Sequence, residues 1–120
     1  MHVAIKILLG LIALLHFYFM WFEMFAWTTK GPKIFRSFPK DLFPQTKAMA
    51  ANQGLYNGFL AAGLIFAIFI WEPHCQIYTA IFFLACIIIA GIYGAYSVDK
   101  KIFYIQALPA LVTLILLHII

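Results

Sequence analysis

The chain has 120 residues, 66% of them apolar and only 10% charged, with a formal net charge of +4 and a mean hydropathy of +1.00. A soluble domain is about half apolar and about a quarter charged, so this composition excludes an ordinary water-soluble fold and points to an integral membrane protein. The basic excess is not a nucleic-acid signature, because it lies between apolar runs, as cytoplasmic loops of membrane proteins do.

Four apolar runs follow one another, at 3–27, 48–71, 76–96 and 102–120, and each has close to the ~20 residues that cross a hydrocarbon core. They predict an all-α, single-domain bundle of four transmembrane helices, up-down-up-down, with a basic interfacial loop at 28–47. The first run opens behind Lys6 like a secretory leader. It continues without a small-residue cleavage site, however, and reads as a retained helix. Its inner half, His16 to Trp27, contains Glu23. Placing a carboxylate in hydrocarbon costs at least ~2.5 kcal/mol, which makes such a group a functional candidate by default. On a helix His16, Met20, Glu23 and Trp27 share one stripe.

The loop at 28–47 alternates Lys30, Lys33, Arg36, Lys40 and Lys47 with Ile34, Phe35, Phe38, Leu42 and Phe43. That alternation suits a segment lying in the headgroup layer against anionic lipid. With Lys100 and Lys101, these are seven of the eight basic residues. The bias places both basic links in the cytoplasm and both termini outside the cell membrane.

The second helix is expected to begin near Pro44 and to stop before Pro73. It carries Asn52, Gln53, Tyr56 and Asn57 at about the depth of Glu23, beside a small-residue stripe of Gly54, Gly58 and Ala62 that allows close helix approach. The link Glu72-Pro73-His74-Cys75 is short enough to make the second and third spans antiparallel neighbours. The third span leaves through Gly91, Tyr93, Gly94 and Tyr96. The fourth enters with Tyr104, Gln106 and Pro109, which predicts a kink by freeing the carbonyl of Ile105.

Polar groups within hydrocarbon must find partners. The expected substrate- or proton-binding set is therefore Glu23, His16, Asn52, Gln53, Tyr56, Asn57, Tyr93, Tyr96 and Gln106, facing one another in the cytoplasmic half. The plainer alternatives are amides that serve only as interhelical hydrogen-bond partners, worth ~1 kcal/mol each, and tyrosines of an interfacial aromatic belt. At the outer surface His2, Glu72, His74, Cys75 and His118 are metal-ligand types. None has paired-motif spacing, and no metal centre is predicted. Cys75 and Cys86 lie roughly 16 Å apart on a helix, too far for a disulfide. No motif specifies a cofactor.

The segments from His16-Phe17-Tyr18 through Glu23-Met24-Phe25-Ala26-Trp27, and Ala51-Asn-Gln-Gly-Leu-Tyr-Asn-Gly58, resemble the domain of unknown function 1304 family of small four-span membrane proteins. The resemblance covers nearly the whole chain. It implies the topology and the choice of residues but carries no chemistry.

Three functions fit the pattern. The chain is similar in size and span number to the small multidrug-resistance transporters, which implies a homo-oligomeric carrier for lipophilic or cationic compounds with Glu23 as the proton- or substrate-coupling carboxylate. The motifs of those transporters other than the glutamate are absent, so the likeness is one of architecture. The alternative is a membrane-embedded enzyme or lipid-binding module in which Glu23 and His16 act as acid and base, or an accessory subunit of a larger membrane complex.

Overall fold

The computed structural model covers residues 1–120 and is all-α, 85% helical with no strand. In chain order the helices are α1 (Val3–Phe25), α2 (Trp27–Ile34), α3 (Leu42–Gln45), α4 (Lys47–Phe69), α5 (Pro73–Ser97) and α6 (Leu108–Ile119), the last preceded by a π-helical turn at Phe103–Ala107. Helices α1 and α5 are long and apolar enough to cross a membrane, and the run Phe103–Ile119 is apolar but shorter. At 23 residues α4 equals α1 in length. It is less apolar because Asn52, Gln53 and Asn57 occupy its first half.

Several boundaries differ from the sequence expectation. The third helix starts at Pro73 rather than at 76, with Pro73 in the first turn and the Glu72 side chain accepting from the backbone N–H groups of His74 and Cys75. Proline suits that first turn because its missing N–H has no intrahelical role there. Pro44 lies in the short α3, and the second long helix opens only at Lys47. The expected interfacial loop at 28–47 is helical over much of its length, as α2 and α3.

The chain forms two compact units, one of Met1–Ala13 with Ala62–Ile120 and one of Leu14–Ala61. In the first, α5 buries Ala80, Leu84, Ile87 and Gly91, a single stripe at helical spacing. A Cβ added at Gly91 would stand 2.6 Å from the backbone nitrogen of Ala107, and one at Gly94 would stand 2.9 Å from Cγ2 of Ile102. The returning chain is therefore antiparallel to α5 and almost in backbone contact with it. The end of α4 meets α5 in the same sense. Gly63 lies against the Phe83 ring, and Gln76 Nε2 donates to the carbonyls of Ile68 at 3.0 Å and Ile70 at 3.1 Å. Ile68 lies in the last turn of α4 and Ile70 just beyond it, where intrahelical donors run out.

The outward faces of α5 are also apolar, with Tyr78, Phe82 and Ile89 exposed. Apolar character around a whole helix belongs to a buried or lipid-facing element. The expected kink at Pro109 takes the form of the π turn, in which the N–H of Leu108 reaches the carbonyl of Phe103. The proline just beyond cannot donate, and the ladder widens by one residue to accommodate it.

In the second unit the later part of α1 runs antiparallel to the earlier part of α4. Gly58 faces Met20, and Gly54 faces Met20, Glu23 and Met24. The expected stripe of Gly54, Gly58 and Ala62 is corrected at its last member: Ala62 is exposed and Ala61 is fully buried. At 3.6 residues per turn Ala61 lies about 20° from the line of Gly54, and Ala62 about 80° from it. Phe43, 1% exposed, anchors α3 against Trp27 at a ring distance of 5.1 Å. Gly31 makes room for it, since a Cβ there would come within 2.6 Å of the Phe43 ring.

Candidate functional site

Glu23 is 8% exposed and Asn57 is 9% exposed, and the two meet: Asn57 Nδ2 donates to Glu23 Oε1 at 2.5 Å. Gln53, one turn earlier on α4, lines the groove beside the carboxylate. The contact depends on Gly54, whose missing side chain lets α4 close on Glu23 and on the Met20 carbonyl. Glu23 makes no ion pair; Lys101 and Asp99, at 3.6 Å, form one elsewhere. A buried carboxylate held by amides alone keeps an unmatched charge or a proton.

Beside the pair lies an open groove of about 720 Å³. Glu23 and Trp27 form one wall, and Asn52, Gln53, Tyr56 and Met49 of α4 another. Phe38, Leu42 and Thr46, from the segment around α3, complete it. Trp27 is fixed at both ends. Its Nε1 donates to Thr46 Oγ1 at 2.9 Å, while Thr46 donates to the carbonyl of Leu42 at 2.9 Å. Its ring packs on Phe22 and Phe35 at 5.8 Å each. The groove thus presents aromatic faces and two exposed amides, Asn52 and Gln53, around one carboxylate. Such a surface suits an organic cation, which a ring face and an acid attract together.

The expected site residues divide. Glu23 and Asn57 are joined directly, and Gln53, Asn52 and Tyr56 line the same groove, their side chains exposed to it. His16 is fully buried, edge-on to Phe19 at 5.2 Å, and lies outside the groove. Seven positions separate it from Glu23 along α1, roughly 10 Å of helix. Tyr93 and Tyr96 point outward, 68% and 89% exposed, as an aromatic belt does. Gln106 is half-buried in the other unit, on the π turn.

His2, Glu72, His74, Cys75 and His118 do not gather, since no three such side chains come together. Glu72 instead caps α5, accepting from the Cys75 N–H at 2.6 Å and the His74 N–H at 3.1 Å. Those bonds hold its carboxyl below the ordinary 4.5. His2 Nδ1 accepts from the Ala4 N–H, and the His118 ring meets the carbonyl of Leu114. Cys75 and Cys86 are free thiols.

Phe38, Leu42, Thr46 and Met49 line the groove in addition to the expected residues. For Phe38 and Leu42 the apolar alternation within the basic stretch is a signal; for Thr46 and Met49 the sequence carries none.

Residues 10–118 match the family described as protein of unknown function (DUF1304). The uncharacterized protein YpaA of Lactococcus lactis subsp. lactis (strain IL1403) is 35% identical over 107 residues, covering 88% of each chain. No solved structure matches the chain.

Proposed function

The chain belongs to the DUF1304 family, and from the surroundings of Glu23 we propose that it is a four-span membrane protein that binds and carries lipophilic, cationic small molecules. The carrying observation is a buried carboxylate with no ion-pair partner at the wall of an aromatic groove. Its charge is balanced by an incoming cation or by a proton, and exchange of one for the other couples ligand to proton. Trp27, Phe38 and Tyr56 supply the ring faces that favour a desolvated cation.

The four-span reading is supported by the length and apolarity of α1 and α5. It is supported further by the equal length of α4 and by antiparallel contacts between successive long helices. With seven of the eight basic residues in the first and third links, the positive-inside rule puts both termini outside. A homo-oligomer supplies the path that a single protomer with an aliphatic outer half lacks. The acid–base enzyme reading has less support, because Glu23 and His16 lie two turns apart and His16 is outside the groove. An accessory-subunit role rests on the small-residue stripe alone.

The test uses the purified protein in lipid nanodiscs with tetraphenylphosphonium as the probe. The wild type binds it more tightly as pH rises, and Glu23→Gln, which preserves shape and an acceptor for Asn57, binds weakly at every pH. Equal binding by wild type and Glu23→Gln refutes the proposal. Binding without uptake into proteoliposomes reduces the carrier to a binding module.

A further inference from the structure

The second unit carries a feature that the groove does not use. Lys30, Lys33, Arg36, Lys40 and Lys47 all lie between α1 and the body of α4, and all are exposed. None of them makes an ion pair, and the stretch contains a single acid, Asp41, also exposed. Five cations in so short a stretch repel one another unless an anionic surface faces them.

They are not carried on a loose tail. Phe43 is seated against Gly31 and Trp27. Phe35 and Phe38 stack at 5.4 Å, and Phe35 reaches Phe22 of α1 at 6.4 Å. The Arg36 Nε donates to the carbonyl of Lys33, closing the end of α2. The Lys30 ammonium lies 5.3 Å over the Trp21 ring, a lysine whose stem follows an apolar helix flank while its head stays wet. Ile34 and Leu42 are exposed among the same cations. An ordered platform that mixes cations with exposed apolar side chains is the composition of a segment lying at a lipid surface.

We propose that the α2–α3 segment is a docking surface for the phosphate headgroups of anionic lipids, which it holds beside the mouth of the Glu23 groove. The partner is a lipid rather than a soluble polyanion because exposed apolar residues flank the cations on one continuous piece of chain. Isolated inorganic phosphate or nucleic acid gives those residues nothing to bury against. The inference rests on the membrane part of the proposed function and is independent of the ligand bound at Glu23. Phe38 and Leu42 also line the groove, whereas the five cations stand outside it.

The test uses the full chain with Trp21→Phe and Trp71→Phe, leaving Trp27 as the reporter, in nanodiscs of mixed phosphatidylcholine and phosphatidylglycerol. Brominated phosphatidylglycerol quenches Trp27 more strongly than brominated phosphatidylcholine at equal mole fraction, and 0.5 M salt reduces the difference by screening. The variant Lys33→Gln, Arg36→Gln, Lys40→Gln loses at least the roughly fivefold preference that one basic side chain contributes near an anionic surface. The charge-conserving variant Lys33→Arg, Arg36→Lys, Lys40→Arg keeps it. Tetraphenylphosphonium binding persists in the glutamine triple variant, and Glu23→Gln keeps the lipid preference, so the two readings fail separately. Equal quenching by the two lipids in the wild type overturns the proposal. So does an unchanged preference in the glutamine variant, or displacement of the lipid by millimolar inorganic phosphate or by DNA.

Discussion

Gly54 is where the fold and the candidate site depend on the same missing atom. In an open helix, Gly→Ala gains about 1 kcal/mol from backbone entropy alone. At Gly54 the new Cβ stands 2.9 Å from Met24 Cγ, 3.0 Å from Glu23 Cβ and 3.0 Å from the Met20 carbonyl oxygen, where ordinary contact begins at 3.4 Å. Met24 can rotate away. The Glu23 Cβ and the Met20 carbonyl are fixed to the α1 backbone, so relief requires the helices to part by about 0.4 Å. Overpacking of this kind costs typically 1–3 kcal/mol. The expected net result for Gly54→Ala is a loss of up to ~2 kcal/mol, with the Asn57–Glu23 hydrogen bond lengthened but kept. Gly54→Val parts the helices further and breaks it.

Gly10 provides the opposite sign, because a Cβ there meets nothing within 4 Å. Gly10→Ala is expected to stabilise the protein by up to ~1 kcal/mol. The assay is unfolding of each purified variant by sodium dodecyl sulfate in mixed micelles, followed by circular dichroism. Tetraphenylphosphonium binding is measured in parallel. Gly54→Val should lose binding along with stability, whereas Gly10→Ala should bind as the wild type does. If Gly54→Ala proves as stable as Gly10→Ala, the close approach of α4 to Glu23 is not real, and the groove geometry falls with it.

Gly91→Ala meets atoms that cannot rotate away, with 2.6 Å to the Ala107 nitrogen and 2.7 Å to its Cβ; it should destabilise more than Gly54→Ala and raise hydrogen exchange in the π turn. Glu72 caps α5 as a carboxylate, so its bonds stabilise above the ordinary carboxyl value of 4.5 and fade as pH falls through its depressed one. Glu72→Ala should therefore melt below the wild type at pH 7, with the gap closing as the pH is lowered through the acid range; a gap that widens in acid refutes the cap. For topology, in a Cys75→Ser, Cys86→Ser background, an impermeant maleimide added outside intact cells should label His74→Cys and spare Arg36→Cys; the reverse pattern inverts the orientation.

The helices were legible because their signal is composition integrated over some twenty residues, which no single contact overrides. The pairing of Glu23 with the amides was legible for a related reason: an acid and an amide in apolar helices have few other partners. Choosing Asn57 over Asn52 was not, since both lie near the right depth and only the helix phase fixed by Gly54 and Gly58 separates them. Tyr93, Tyr96 and Ala62 misled for that same reason, because depth and spacing set the level of a side chain but not its direction around the helix. The α2–α3 segment was hidden differently. Its fold rests on ring contacts among Trp27, Phe35, Phe38 and Phe43, which are tertiary and have no helical period to announce them.

The least apolar of the long helices is also the one that forms the groove, and the two facts have one cause. Asn52, Gln53 and Asn57 lower the apolarity of α4, and only Asn57 is buried against Glu23 to offset that cost. Asn52 and Gln53 are exposed within the groove. Leucine at Asn52 would raise the apolarity of α4 and leave the Glu23–Asn57 bond untouched. Under the proposed carrier reading, Asn52 serves a bound molecule with hydrogen-bonding groups near its charge. Asn52→Leu should accordingly raise resistance to sodium dodecyl sulfate while weakening the binding of primary and secondary amines more than that of tetraphenylphosphonium, which has no N–H to offer. Equal weakening of both probes would make Asn52 a wall of the groove rather than a reader of its ligand.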